Sequence, residues 1–197
     1  MALHLVTEGR GPAWVDGGER EEQAGWDEHA HFMDALASDG FVVLGGPVGD
    51  GRLVYLAVEA PDEAAVRERL GLDPWMDGVL RIADVQPWEI RLRGPRERTP
   101  GFAVTRRRGP AWDATRTLEE QDDWEAHAAF MDGLAAEGAI VLGGPLGDGK
   151  TTLLAFDAEG GEEIRRRLAS DPWVRMGLLE LVSVASWWIR LDGRQPA

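Results

Sequence analysis

The 197-residue chain is 44% hydrophobic and 28% charged, an ordinary globular composition with length enough to bury a substantial core. Its net charge of −14 argues against nucleic acid or an anionic membrane surface as a partner, because both require a basic face. Without cysteine it can form no disulfide, thiolate nucleophile or thiolate metal site.

In chain order, an alternating stretch with Leu3 and Leu5 predicts a first strand, followed by a polar loop containing Gly11-Pro12-Ala13-Trp14. A long helix is predicted over Arg20–Ser38, ended by Gly40 as a left-handed cap. Phe41–Leu44 reads as a buried strand. The Gly-Gly-Pro and Gly-Asp-Gly that follow read as the loop of a hairpin into Leu53–Glu59. A second helix is predicted near Asp62–Leu70 and is closed by Asp73-Pro74-Trp75, since a residue before proline leaves helical geometry. Val79–Leu92 is the last strand, its apolar phase broken at Pro87.

The chain then repeats itself. Trp26 to Gly51, WDEHAHFMDALASDGFVVLGGPVGDG, returns at Trp124 to Gly149 as WEAHAAFMDGLAAEGAIVLGGPLGDG. The offset is constant from Gly109-Pro110-Ala111-Trp112 to Asp171-Pro172-Trp173, and one inserted residue then brings Trp88 into line with Trp187. Strands are expected at Phe102 and Val104, Ala139–Leu142, Thr151–Asp157 and Leu178–Leu191, with helices at Leu118–Ala136 and Glu162–Ala169. Thr117 and Glu120 form the pattern of a capping box for the first of these helices. Residues 94–100, charged and bounded by proline, make a linker between repeat 1 (1–93) and repeat 2 (101–197).

A period of domain length points to two fused copies of one fold rather than a solenoid. Strand, helix, strand, strand, helix, strand is the ferredoxin-like order, which leaves one sheet face bare. The expected fold class is therefore α+β: two βαββαβ repeats packed sheet to sheet as an internal pseudo-dimer. Further homodimerisation is then optional.

On the first helix the apolar face collects Trp26, His29, Phe32, Met33 and Leu36, and the second copy places His127 likewise beside Trp124, Phe130 and Met131. An imidazole in such a stripe is either a structural group satisfied by a backbone carbonyl or a proton-transfer residue tuned by burial. Asp73 and Asp171 are its natural carboxylate partners, although aspartate before proline is also plain turn chemistry. His4 and His31 read as solvent-exposed, and Asp34 and Asp132 as solvated helix acids. Nine tryptophans are many for this length; Trp26, Trp75, Trp88, Trp124, Trp173 and Trp187 recur between copies and are candidates for lining a small-molecule pocket. Gly144 to Thr151 satisfies a phosphate-loop pattern, but it runs into a strand rather than a helix and is read as a hairpin. No metal site and no cofactor are expected, for want of clustered ligands.

These residues together resemble the YCII-related family: Trp-x-x-His-x-x-Phe-Met-Asp (26–34, 124–132), Val-Leu-Gly-Gly-Pro (43–47, 141–145), Asp-Pro-Trp (73–75, 171–173) and a last strand bearing Trp88 or Trp187. The resemblance covers nearly the whole chain, twice. It implies a dimeric α+β barrel and an active site pairing His29 with Asp73 and His127 with Asp171. Two departures stand out: the fusion itself, and Trp where Tyr or Phe is usual after Asp-Pro. The leading functional expectation is a cofactor-independent enzyme of lyase or isomerase type, acting on a small cyclic or aromatic metabolite. The alternatives are a non-catalytic binding or regulatory module, and an oxygen-using or haem-handling enzyme. The opening residues lack a basic stretch followed by an apolar run, so no signal peptide is expected. With a single lysine, Lys150, among 21 basic residues, the composition suggests a high-GC bacterium and a cytoplasmic location.

Overall fold

A computed structural model describes residues 1–194 and separates two compact units: Met1–Trp88 with the residues from Trp188 onward, and Glu89–Trp187. The first stretch supplies β1 (Ala2–Arg10), α1 (Trp26–Ser38), β2 (Val42–Val48), β3 (Leu53–Ala60), α2 (Glu63–Leu70) and β4 (Leu80–Pro87). Then come β5 (Leu92–Arg93), β6 (Phe102–Arg108), α3 (Trp124–Ala136), β7 (Ile140–Leu146), β8 (Thr151–Phe156), α4 (Gly161–Leu168), β9 (Leu179–Ser186) and β10 (Leu191–Asp192). Each unit holds one antiparallel five-stranded sheet, ordered β10-β2-β3-β1-β4 in unit 1 and β5-β7-β8-β6-β9 in unit 2. Four strands of each follow the ferredoxin-like order, so the α+β expectation for each repeat is what the chain adopts.

Cores form where the helix stripes meet the sheets. In unit 1, Met33 and Leu36 from α1 and Val66 and Leu70 from α2 pack on Val6, Val42, Leu56 and Val58. Met131, Leu134, Ile164 and Leu168 repeat this in unit 2 on Val104, Ile140, Leu154 and Phe156. At roughly 1.5–3 kcal/mol per fully buried aliphatic or aromatic side chain, these clusters dominate the stability of each unit.

The long helices begin later than expected, at Trp26 and Trp124 rather than near Arg20 and Leu118. The cause is a buried glutamine. Gln23 accepts from Val15 N and donates to Val15 O and Glu19 O, and Gln121 does the same for Asp113, Arg116 and Thr117. Each holds apart from the helix a preceding segment that is a loop in unit 2 and carries a single 3-10 turn, Arg20–Glu22, in unit 1. Glu120 does accept from Thr117 N, but this closes one turn within that loop. His4 is another correction: it is buried, because β1 lies inside the sheet and the alternation His4, Val6, Glu8, Arg10 faces the helices. His31 is exposed. Gly149, Lys150 and Thr151 form a hairpin, with Gly147 and Gly149 at positive φ and Asp148 accepting from Lys150 N.

The ends of the last strands do not continue as expected. After Pro87, which has no N–H to give a ladder, Glu89 and Arg91 donate to Pro145 O and Gly143 O, and β5 joins the sheet of unit 2. In the same way Trp188 and Arg190 donate to Pro47 O and Gly45 O, and β10 closes the sheet of unit 1. Residues 94–100 therefore connect two strands of one sheet. Gly-Gly-Pro lies within β2 and β7 instead of in a loop, and this contact is the reason for its glycines. A Cβ on Gly46 would sit 1.9 Å from Trp188 O, and one on Gly144 would sit 1.8 Å from Glu89 O. Gly46→Ala is expected to cost about 2–3 kcal/mol and to expose the Arg190 amide to hydrogen exchange; unchanged protection there would contradict this account.

Candidate acid–base site

The site is built twice from three elements: a helix, an Asp-Pro-Trp turn and the first long strand of the repeat, β1 or β6. Asp73 caps the turn that follows α2, its Oδ1 accepting from Trp75 N at 2.9 Å. That bond fixes the carboxylate, and Pro74 fixes the backbone before the turn. His29, one turn into α1, places Nδ1 2.8 and 3.0 Å from the two oxygens of Asp73, with both groups buried. Trp75 lies flat against the imidazole, 3.8 Å between centroids and 4° between planes. Its indole N–H donates to Ala24 O, which locks the stack from behind.

Unit 2 repeats the arrangement. His127 Nδ1 is 2.8 Å from Asp171 Oδ1, Trp173 N donates to the same oxygen, and the rings of His127 and Trp173 stack at 3.9 Å. With Nδ1–H given to the carboxylate, each histidine presents Nε2 as its remaining proton acceptor. No partner for either Nε2 is found among the described residues, and each ring lines a cavity of about 430 Å³.

Of the other residues named from sequence, Trp26, Trp124 and Trp173 line these cavities, while Trp75 lies buried beneath His29. Trp88 and Trp187 are buried and belong to neither cavity wall. Asp34 and Asp132 are exposed at the rims.

Sequence reasoning missed the floor. On β1 and β6, at one repeat offset, stand Glu8 and Arg106, the first 1% and the second 3% exposed. Arg106 Nη1 donates to Asp171 Oδ2 at 2.9 Å, so Asp171 answers a guanidinium and an imidazole together. Glu8 holds no such pair among the described residues. Burial and the nearby charge of Asp73 push its carboxyl up to about 8, so at neutral pH it is largely the uncharged acid. Burial lowers the Arg106 guanidinium, and Asp171 opposes that shift. Trp14 and Trp112 complete the walls, each under an arginine, Arg10 at 4.6 Å and Arg108 at 4.4 Å from the ring centroid. The repeated Gly-Pro-Ala-Trp was the signal for these two rings; the opposite charges of two residues in equivalent strand positions were the signal for the floor.

No group of three or more ligating side chains able to hold a metal ion occurs among the described residues, and no helix there is long and apolar enough to cross a membrane. No family model matches the chain, and no curated protein matches it in sequence. Solved structures do match in shape. A haem-binding protein from Thermus thermophilus superposes with a TM-score of 0.57 at 14% identity, covering 95% of this chain and 91% of its own. A candidate monooxygenase from Fusobacterium nucleatum gives 0.57 at 9%, covering 96% and 92%. A candidate chlorite dismutase gives 0.53 at 8%, covering 98% and 97%. The class these define is the dimeric α+β barrel fold, and at such identities the likeness is one of fold alone.

Proposed function

We propose that this chain is a tandem YCII-like enzyme, two copies of one ancestral unit (1–93 and 101–197, joined by 94–100), that moves protons on a small cyclic or aromatic metabolite. The observation that carries the reading is the His29–Asp73 pair, whose outer nitrogen has no partner among the described residues and lies at a cavity of substrate size. His29 Nε2 takes a proton from an acidic C–H or O–H of the substrate, and Asp73 stabilises the imidazolium. The same proton, returned to a neighbouring atom, completes an isomerisation; delivered to a leaving group, it completes an elimination. Glu8 in its neutral form is a second proton donor on the same floor. Trp26 and Trp14 offer flat apolar walls to a ring.

Haem does not suit the unit 1 cavity. Its wall carries Arg10, Arg20, Asp34, Asp50 and Arg190, where a macrocycle needs broad apolar faces. The chemistry of the structural neighbours stays with those proteins.

The test is solvent exchange. The full chain in D₂O is incubated with cyclic ketones, lactones and hydroxyarenes bearing activated C–H bonds, and deuterium uptake is read by NMR. Uptake should fall by about 10²–10⁴ when both histidines are replaced by glutamine. Uptake unchanged in a His29→Gln/His127→Gln double variant would remove the dyads from the chemistry. Ligand binding without any uptake would leave a non-catalytic binding module.

A further inference from the structure

Among the described residues, six of the seven buried side-chain polar atoms without a hydrogen-bond partner belong to residues that line the two cavities. In unit 1 they are Glu8 Oε1, Arg10 Nε and Trp14 Nε1; in unit 2 they are Arg106 Nε, Arg108 Nε and Trp112 Nε1. The positions are equivalent, but the chemistry is not. Among these buried atoms unit 1 has one acid oxygen and two donors, whereas unit 2 has three donors, and each cavity also has the Nε2 acceptor of its histidine. A buried donor left unpaired costs about 1–3 kcal/mol, and three such donors belong to residues that line the unit 2 cavity.

Charge points the same way. The unit 2 cavity is lined by four cations and three acids, the unit 1 cavity by three cations and five acids. In unit 2, Arg106 is paired with Asp171, Arg91 with Glu89 and Glu119, and Lys150 with Asp148. Arg108 forms no ion pair with a carboxylate among the described residues. Its equivalent in unit 1, Arg10, is held by Asp16 at 3.0 Å. The Arg108 charge is felt by Asp148, but Lys150 holds that carboxylate at 2.7 Å, which leaves a guanidinium over an indole ring with no carboxylate in contact and room for a flat anion. Around it stand Trp112, Trp124 and Trp173.

We propose that the unit 2 cavity is a binding site for a monoanionic aromatic carboxylate, held through its carboxylate by Arg108 and Arg106 and through its ring by the tryptophans, and that the unit 1 cavity does not share this specificity. This rests on reading the cavities as ligand sites, and it makes the two halves unequal in role: acid–base chemistry over Glu8, anion recognition over Arg106. A proton arriving at His127 would place two cations against one carboxylate, whereas at His29 it would meet two acids.

Benzoate is the probe, titrated calorimetrically and by tryptophan fluorescence into the full chain. The expected result is one equivalent bound per chain, weakened tenfold or more by Arg108→Gln, with Arg10→Gln and Glu8→Gln binding as the parent does. Arg106→Gln should abolish binding; should that variant misfold, Trp112→Phe, which keeps the ring and deletes one donor, should still weaken it several-fold. Inorganic phosphate and benzyl alcohol should bind poorly, the first for want of a ring and the second for want of charge. Two equivalents per chain, equal loss with Arg10→Gln, phosphate binding as well as benzoate, or no binding at millimolar benzoate would each overturn the proposal. Proton exchange at His29 would be untouched by any of these results, so the two readings can fail separately.

Discussion

Asp171→Asn is expected to destabilise unit 2 by about 3–5 kcal/mol, and Asp73→Asn to cost unit 1 clearly less. The difference lies under the carboxylate. Among the described residues Asp171 is the one carboxylate paired with Arg106, which is 3% exposed, and its removal leaves that guanidinium charged and buried without a partner. Asp73 instead stands near Glu8, so neutralising it also removes a like charge from that acid. Both variants keep an amide oxygen for the turn bond to Trp75 or Trp173. Hydrogen exchange at the β1 and β6 amides reports each unit by itself; equal losses in the two would refute the asymmetry.

The second large effect is a pH dependence confined to unit 1. Glu8 ionises near 4.5 in an unfolded chain and near 8 in the folded one. Between those values the folded state holds the proton more tightly. Stability attributable to this group is therefore full below about pH 4.5 and is lost as pH rises through 8. The loss between pH 5 and pH 8 is on the order of 3 kcal/mol if the carboxyl keeps its burial throughout. Glu8→Gln, which cannot ionise, should flatten this slope. Denaturant midpoints at pH 5, 7 and 9 for the parent and the variant measure it. A parent as stable at pH 9 as at pH 5, relative to the variant, would show that Glu8 ionises normally.

Much of this was legible because the chain repeats itself. The stripe Trp26, His29, Met33, Leu36 announced both a helix and its buried face, and Asp-Pro-Trp announced a turn whose carboxylate is fixed. What spacing could not give was that Nδ1 of His29 would reach across 44 positions of chain to that turn. The late start of α1 was hidden because Gln23 competes for backbone groups through its side chain, an effect no periodicity records. His4 was misjudged by comparison with its own copy, where Phe102 already hinted at an inward face. Gly45-Gly46-Pro47 looked like a loop because glycine and proline usually mark one. Here they mark the place where another stretch of backbone comes within contact distance. Glu8 and Arg106 escaped notice since a lone charge on a strand is ordinarily a surface residue.

The reciprocal placement of β5 and β10 also sets an order of completion during synthesis. Unit 2 is complete once Trp187 has left the ribosome, whereas unit 1 begins first and must wait for Leu191 and Asp192 before its sheet is closed. Through that interval the edge of β2 is the exposed flank of a nearly finished sheet. Its sequence is suited to waiting: two glycines offer a stray strand no side chains to pack against, and Pro47 offers it no N–H.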